Sequence, residues 1–142
     1  MTKLRVMLAS AALLLGAGRL SAQGYVVVVN SANPISTLSK GTANDIFLKR
    51  AVRWEDGQAA APVNLDRSSA ARDAFSRAVH GKSASAVESF WQEQIFAGKE
   101  TPPPTRSSDA DVLAFIRSKP GAIGYVSAGA ALSTDVKVVR IN

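Results

Sequence analysis

The sequence has 142 residues, with 17 Lys and Arg, 11 Asp and Glu, one His and no Cys. The lack of cysteine excludes disulfides, thiolate metal sites and a lipid-modified cysteine, so neither a disulfide scaffold nor a lipoprotein is expected. A single histidine also excludes a histidine metal cluster.

Residues 1–22 follow the order of a secretory signal peptide. Lys3 and Arg5 precede an apolar run, and the small residues Ser21 and Ala22 close the segment. The run is too short to span a bilayer comfortably. We therefore predict a signal peptide over 1–22 and one domain over 23–142, periplasmic or secreted, with no membrane span after the leader is removed. An uncleaved membrane anchor is the alternative.

The net charge of +6 is partly due to this leader. Three of the 17 basic residues lie in it and no acid does, which leaves 14 Lys and Arg against 11 acids, a net charge near +3. The remaining charges alternate in sign, as in Lys49, Arg50, Glu55 and Asp56. Nucleic acid is therefore not expected as a partner, whereas a small anion is.

In chain order, the β-branched run at 25–29 predicts a strand that is buried on both faces. A helix is expected from about Thr42, because Gly41 disfavours an earlier start. Asp56 and Gly57 indicate a tight turn, and Pro62 marks the start of a short strand.

Three helices are predicted in the second half of the chain. The first carries an apolar stripe at 71–79 and ends at Gly81, the second runs from its cap Ser83 to Gly98, and the third begins at Ser108. The segment 101–105 predicts a stiff polyproline connector. The apolar stretches at 122–126 and 136–141 predict the last strands. Strands separated by helices indicate an α/β fold, with a mainly parallel sheet and helices on both faces.

Five segments, in this order, resemble one family: VVVNSANPISTLS, DIFLKRAVRWEDG, SSAARDAF, ESFWQEQIFAGKETPPP and PGAIGYVSAGAAL. The chain resembles the phosphate-binding-protein branch of the type II periplasmic substrate-binding proteins, which deliver solutes to ABC transporters. The likeness spans about residues 25–142. It implies a single lobe of a two-lobed clamshell, with the first lobe lacking a counterpart in this sequence.

The family binds its anion at a turn reading Gly-Ser-Gly-Thr-Arg, preceded by an arginine and followed two residues later by Phe. The stretch LDRSSAARDAF keeps Ser69, Arg72 and Phe75 at the matching positions. Ser68 and two alanines replace the glycines and the threonine, and Arg67 is a nearby substitute for the upstream arginine. The resemblance thus implies a shallow oxyanion site of Arg67, Ser68, Ser69 and Arg72. The alternative is a capping serine beside solvated arginines.

Other candidate residues are expected to be structural. His80 is predicted near the C-terminus of its helix, with a partly charged ring that favours the dipole. Asp109 and Asp111 are expected in the first turn of a helix rather than at a metal. Six aromatic side chains are predicted to pack in the core: Trp54, Phe75, Phe90, Trp91, Phe96 and Phe115.

No pairing of nucleophile and base can be named, so we predict a non-enzyme without catalytic residues, metal or cofactor. The expected function is that of an exported solute-binding protein with weak affinity for phosphate or another small oxyanion, and with an envelope or transporter protein as a partner. The alternative is a structural or protein-interaction domain of the cell envelope that has lost ligand binding.

Overall fold

The computed structural model describes residues 23–142, so the predicted signal peptide lies outside the described residues. Seven strands and four helices follow one another along this part of the chain. The strands are β1 (Tyr25–Asn30), β2 (Thr37–Leu38), β3 (Ala61–Pro62), β4 (Asn64–Leu65), β5 (Thr105–Arg106), β6 (Ala122–Ser127) and β7 (Val136–Ile141). The helices are α1 (Lys40–Phe47), α2 (Ala70–Phe75), α3 (Ala84–Phe96) and α4 (Asp109–Ser118). A π-helical turn over Ser76–His80 continues α2.

The main sheet has five strands in the order β2-β7-β1-β6-β3, and β4 pairs with β5 in a separate two-stranded sheet. The predicted α/β class is confirmed, but the expectation of a mainly parallel sheet is wrong. Both long pairs, β1 with β6 and β1 with β7, are antiparallel, and only the two-residue pairs are parallel. The continuous apolar run of β1 predicted burial on both faces, which is typical of parallel sheets. Antiparallel strands are also buried on both faces when helices flank the sheet.

Helices cover both faces of this sheet, as predicted. On one face Phe75 of α2 stacks on Tyr125 of β6, with ring centroids 4.0 Å apart, and Phe47 of α1 packs 4.8 Å from Phe75. On the other face, Asn30 Nδ2 donates a hydrogen bond of 2.9 Å to the Ile116 carbonyl of α4. All six residues of β1 are consequently buried.

Serine caps determine where most helices begin. The hydroxyls of Ser83 and Ser108 accept hydrogen bonds from Ala86 N and Asp111 N, which confirms both predicted caps. Ser39 caps α1 in the same way, so that helix begins at Lys40 and not near Thr42. Gly41 lies in its first turn, where the cap outweighs the low helix propensity of glycine.

The predicted turn at Asp56 and Gly57 forms, with Gly57 at φ 87°. Trp54 on this turn donates a hydrogen bond of 2.9 Å from its indole Nε1 to the carbonyl oxygen of Gly121, and so attaches the turn to the start of β6. Within residues 23–142, no helix is both long enough and apolar enough to cross a bilayer.

The C-terminal end of α3 is exposed to solvent, although its apolar side chains were predicted to pack in the core. Val87 and Trp91 are buried, but Ile95 is 54% exposed and Phe96 is 95% exposed. Phe90 is half-buried. Core packing is confirmed for Trp54, Phe75, Trp91 and Phe115 and is wrong for Phe96, because the last turn of α3 extends past the neighbouring elements.

Candidate functional site

The predicted oxyanion turn connects the end of β4 to the start of α2. Ser69 N donates a hydrogen bond of 2.9 Å to Asp66 O, which closes the turn. Ser69 has the extended backbone of an N-cap, but its hydroxyl makes no capping bond. The half-buried Ser69 therefore keeps a free hydroxyl at the start of α2.

Acidic side chains engage two of the four predicted site residues. The Ser68 hydroxyl donates to Asp66 Oδ2 at 2.9 Å, and Arg67 Nη1 donates to Glu88 Oε1 of α3 at 2.8 Å. Both interactions are exposed to solvent and are therefore weak. An anion at Arg67 or Ser68 would nevertheless compete with a carboxylate.

Arg72 has a different environment, since its side chain is only 8% exposed. Its Nη1 donates a hydrogen bond of 3.0 Å to the carbonyl oxygen of Leu65, behind the turn. Within residues 23–142 the guanidinium forms no ion pair. A buried cation without a counter-charge is energetically costly, and such groups are concentrated at functional sites.

Arg72 lines a half-open cavity of about 390 Å³, which we call the α3 cavity. Its wall is formed by polar residues, by Trp91 and by three consecutive prolines. The lining residues that matter here are Asn64, Arg72, Glu88, Trp91, Ile95 and Pro102–Pro104. Arg67 lies outside it, beside a separate hollow of about 290 Å³ bordered by Ser85 and Ser89.

Asn64 is held in place at the cavity wall by Tyr125. Burial raises the pKa of Tyr125, so the phenol stays protonated and donates a hydrogen bond of 2.9 Å to Asn64 Oδ1. The Asn64 oxygen is thereby used as an acceptor. Its Nδ2 group remains available as a donor beside Arg72.

The four predicted residues thus have different surroundings in the structure. Ser68 and Ser69 lie on the turn, Arg67 is paired with α3, and Arg72 lies in the α3 cavity. Sequence reasoning missed the contribution of Asn64 and Glu88. The family's upstream arginine aligns near Asn64 or Leu65, which could have indicated the first of these, whereas no local signal identifies the second.

His80 lies at the end of its π-helical turn, as predicted, but its predicted partial charge is wrong. The pKa of His80 is lowered to about 4, mainly by burial and in addition by the positive charges of Lys82, Arg72 and Arg50. The neutral ring lies 2.7 Å from Asn44 Oδ1 through Nδ1 and packs against Phe75.

Asp109 and Asp111 lie in the first turn of α4, as expected. Asp109 Oδ1 accepts a hydrogen bond of 2.9 Å from Ser127 N, so this carboxylate attaches α4 to the end of β6. Across the part of the chain that the structure describes, no three His, Asp or Glu side chains converge on a metal-sized position.

Solved structures of phosphate transport proteins share this fold. An ABC-type phosphate transport receptor from Vibrio cholerae superposes with a TM-score of 0.63 at 20% identity, over 83% of this chain and 46% of its own. A protein assigned as a phosphate ABC transporter substrate-binding protein from Clostridium perfringens, with bound phosphate, gives 0.65 at 19% identity over 83% and 44%. PstS from Borrelia burgdorferi gives 0.57 at 14% identity over 85% and 52%. The chain has the fold of one lobe of a phosphate-binding protein.

The chain spans less than half the length of the Vibrio and Clostridium proteins. The superpositions and this partial coverage confirm the single-lobe fold that the resemblance implied. The Vibrio protein is described as a transport receptor and the Clostridium protein as a substrate-binding protein. No protein-family model and no curated protein matches the sequence.

Proposed function

We propose that this chain is an exported solute-binding module that recognises a small oxyanion, with Arg72 as the main contact. The observation that carries the proposal is an arginine that is only 8% exposed, has no carboxylate partner within residues 23–142, and lines a cavity. An anion would supply the missing counter-charge through charge-assisted hydrogen bonds. Phosphate is the first ligand to test, since the Clostridium protein was solved with it.

Ser69 is the second contact that we propose, because its hydroxyl makes no capping bond at the start of α2. Arg67 and Ser68 contribute less, since Glu88 and Asp66 already occupy them. Export is proposed from the leader-like residues 1–22. The ATP-driven transporter named for the fold relatives is the partner proposed for this role.

The affinity of this chain measured alone is expected to be about millimolar, or about −4 kcal/mol. Two-lobed binding proteins gain affinity by closing around the solute and excluding water, and the α3 cavity is half-open. Titration with phosphate and sulfate, followed by calorimetry and by the NMR signal of Arg72 Nε–H, tests the proposal. Saturable binding that Arg72→Gln removes and Arg67→Gln keeps is expected. No response at tens of millimolar in the parent chain would refute it.

A second candidate function is protein recognition in the cell envelope. Its observation is the pair Ile95 and Phe96, which expose large apolar side chains at the end of α3. A photo-crosslinking residue at position 96 is expected to give one discrete adduct in cells, and the same residue at the exposed position 85 is expected to give none. Equal patterns at both positions would remove this candidate.

A further inference from the structure

We infer that the natural ligand of the α3 cavity is a small organic carboxylate that carries a flat apolar group, rather than inorganic phosphate. This inference rests on the proposed anion site at Arg72 and names the class of ligand for it. It depends on three features: the charge of the cavity, its apolar wall and its size.

Arg72 is the cation that lines the cavity. Glu88 also lines the cavity, but its carboxylate is paired with Arg67 at 2.8 Å. Arg72 makes one hydrogen bond from Nη1, to Leu65 O, so the fork formed by Nε and Nη2 remains free within the described residues. A planar carboxylate matches this fork with two parallel hydrogen bonds.

The remaining wall of the cavity is largely apolar. Trp91, Ile95 and the prolines of 102–104 form most of it, and the polar residues Gln92 and Thr105 complete it. A phosphate ion is charged on all sides and would leave these surfaces against water. An apolar group beside the carboxylate would cover them and gain the free energy of burial.

The volume of the cavity sets the size of this ligand. At about 390 Å³, the space is near the lower end of the range of small-molecule pockets, which is roughly 300–1,000 Å³. One aromatic ring with its carboxylate fits this space. The Nδ2 group of Asn64, which also lines the cavity, supplies a further donor for the carboxylate.

The probe for this inference is benzoate, added to the ¹⁵N-labelled chain and followed by NMR. The chain contains two indoles, and only Trp91 lines the cavity, while Trp54 donates to Gly121 O and acts as an internal reference. We expect the Trp91 Nε1–H signal to shift saturably at millimolar benzoate and the Trp54 signal to stay in place. Benzyl alcohol, the neutral analogue, is expected to bind about 10-fold more weakly or worse, since a charge-assisted contact is lost.

Two matched variants separate binding from folding. Ile95→Glu places a carboxylate at the rim and is expected to weaken benzoate binding at least several-fold. Phe96→Glu adds the same charge one residue away, outside the cavity lining, and is expected to leave the affinity for benzoate unchanged. Both side chains are exposed, so neither change should prevent folding.

The outcomes distinguish the ligand class from the anion site itself. If phosphate saturates the Arg72 Nε–H shift and benzoate binds no more tightly than phosphate, the organic class is wrong and the anion site stands. If benzoate shifts Trp91 no differently from benzyl alcohol, the carboxylate assignment is wrong. If neither anion moves Arg72 or Trp91, both proposals fail.

Discussion

Val63 Cγ1 lies 2.7 Å from the position that a β-carbon on Gly124 would occupy. Val112 and Ile116 of α4 lie at 3.1 and 3.3 Å from the same point, so helix and strand meet there without space for a methyl group. Glycine inside a strand commonly marks such a close approach of the strand to a neighbouring element.

We expect Gly124→Ala to lower the free energy of unfolding by about 1–3 kcal/mol, because the added methyl overpacks the core. Urea denaturation measures this change. Gly129→Ala is the matched control, since a β-carbon there meets nothing within 4 Å, and it should change stability by less than about 0.5 kcal/mol. Equal effects of the two substitutions would contradict the packing described here.

The three serines that precede α2, α3 and α4 should differ in their contributions to stability. Ser83→Ala and Ser108→Ala are each expected to cost about 1 kcal/mol, since each hydroxyl accepts a helix N–H at 3.1 Å. Ser69→Ala should cost much less, because its hydroxyl makes no capping bond. Thermal denaturation of the three variants checks this ranking, and a loss at Ser69 as large as at Ser83 would refute it.

Stability should rise with pH between about 4 and 6.5 because of His80. Its pKa is about 4 in the folded chain and 6.5 when unfolded, so the unfolded state binds the extra proton in this window. The neutral ring therefore contributes fully above pH 6.5, and up to about 3 kcal/mol of stability is lost as the pH falls to 4.

The variant His80→Gln isolates this contribution, because its side chain keeps a donor for Asn44 and does not titrate. The difference in the free energy of unfolding between the parent and the variant is expected to increase from pH 4 to pH 6.5 and then level off. A constant difference across this range would show that His80 is protonated equally in both states.

Two aromatic residues on α3 should respond very differently to substitution. Trp91 is 4% exposed, so Trp91→Ala is expected to cost about 3–5 kcal/mol of folding free energy. Phe96 is 95% exposed, so Phe96→Gln should change stability by less than about 0.5 kcal/mol. Chemical denaturation provides both values, and a large loss for Phe96→Gln would indicate a contact that this structure does not contain.

Local patterns predicted much of the fold. The β-branched run predicted β1, and the serine caps predicted the starts of α3 and α4, since both signals act over a few residues. Strand direction was not predictable in this way, because it depends on which distant strand pairs with β1. The exposure of Phe96 was also missed, since helical spacing does not reveal where the neighbouring elements end.

In the candidate site, too, the local features were predicted and the long-range contacts were not. Ser69 was predicted at the start of a helix and lies there. The ion pair of Arg67 was not predicted, because its partner Glu88 lies 21 residues away along the chain. The sequence of the turn does not indicate which distant residue pairs with it.

The position of β1 has a consequence for how the chain is made. Val27 pairs with Tyr125 on one side and with Val139 on the other, so β1 pairs along its length with β6 and β7, which come much later in the chain. Such distant pairing slows folding and leaves strand edges open during it. A growing chain therefore keeps the apolar strand β1 without these partners until β6 and β7 have been synthesised, and during that interval a chaperone has an unfolded strand to bind.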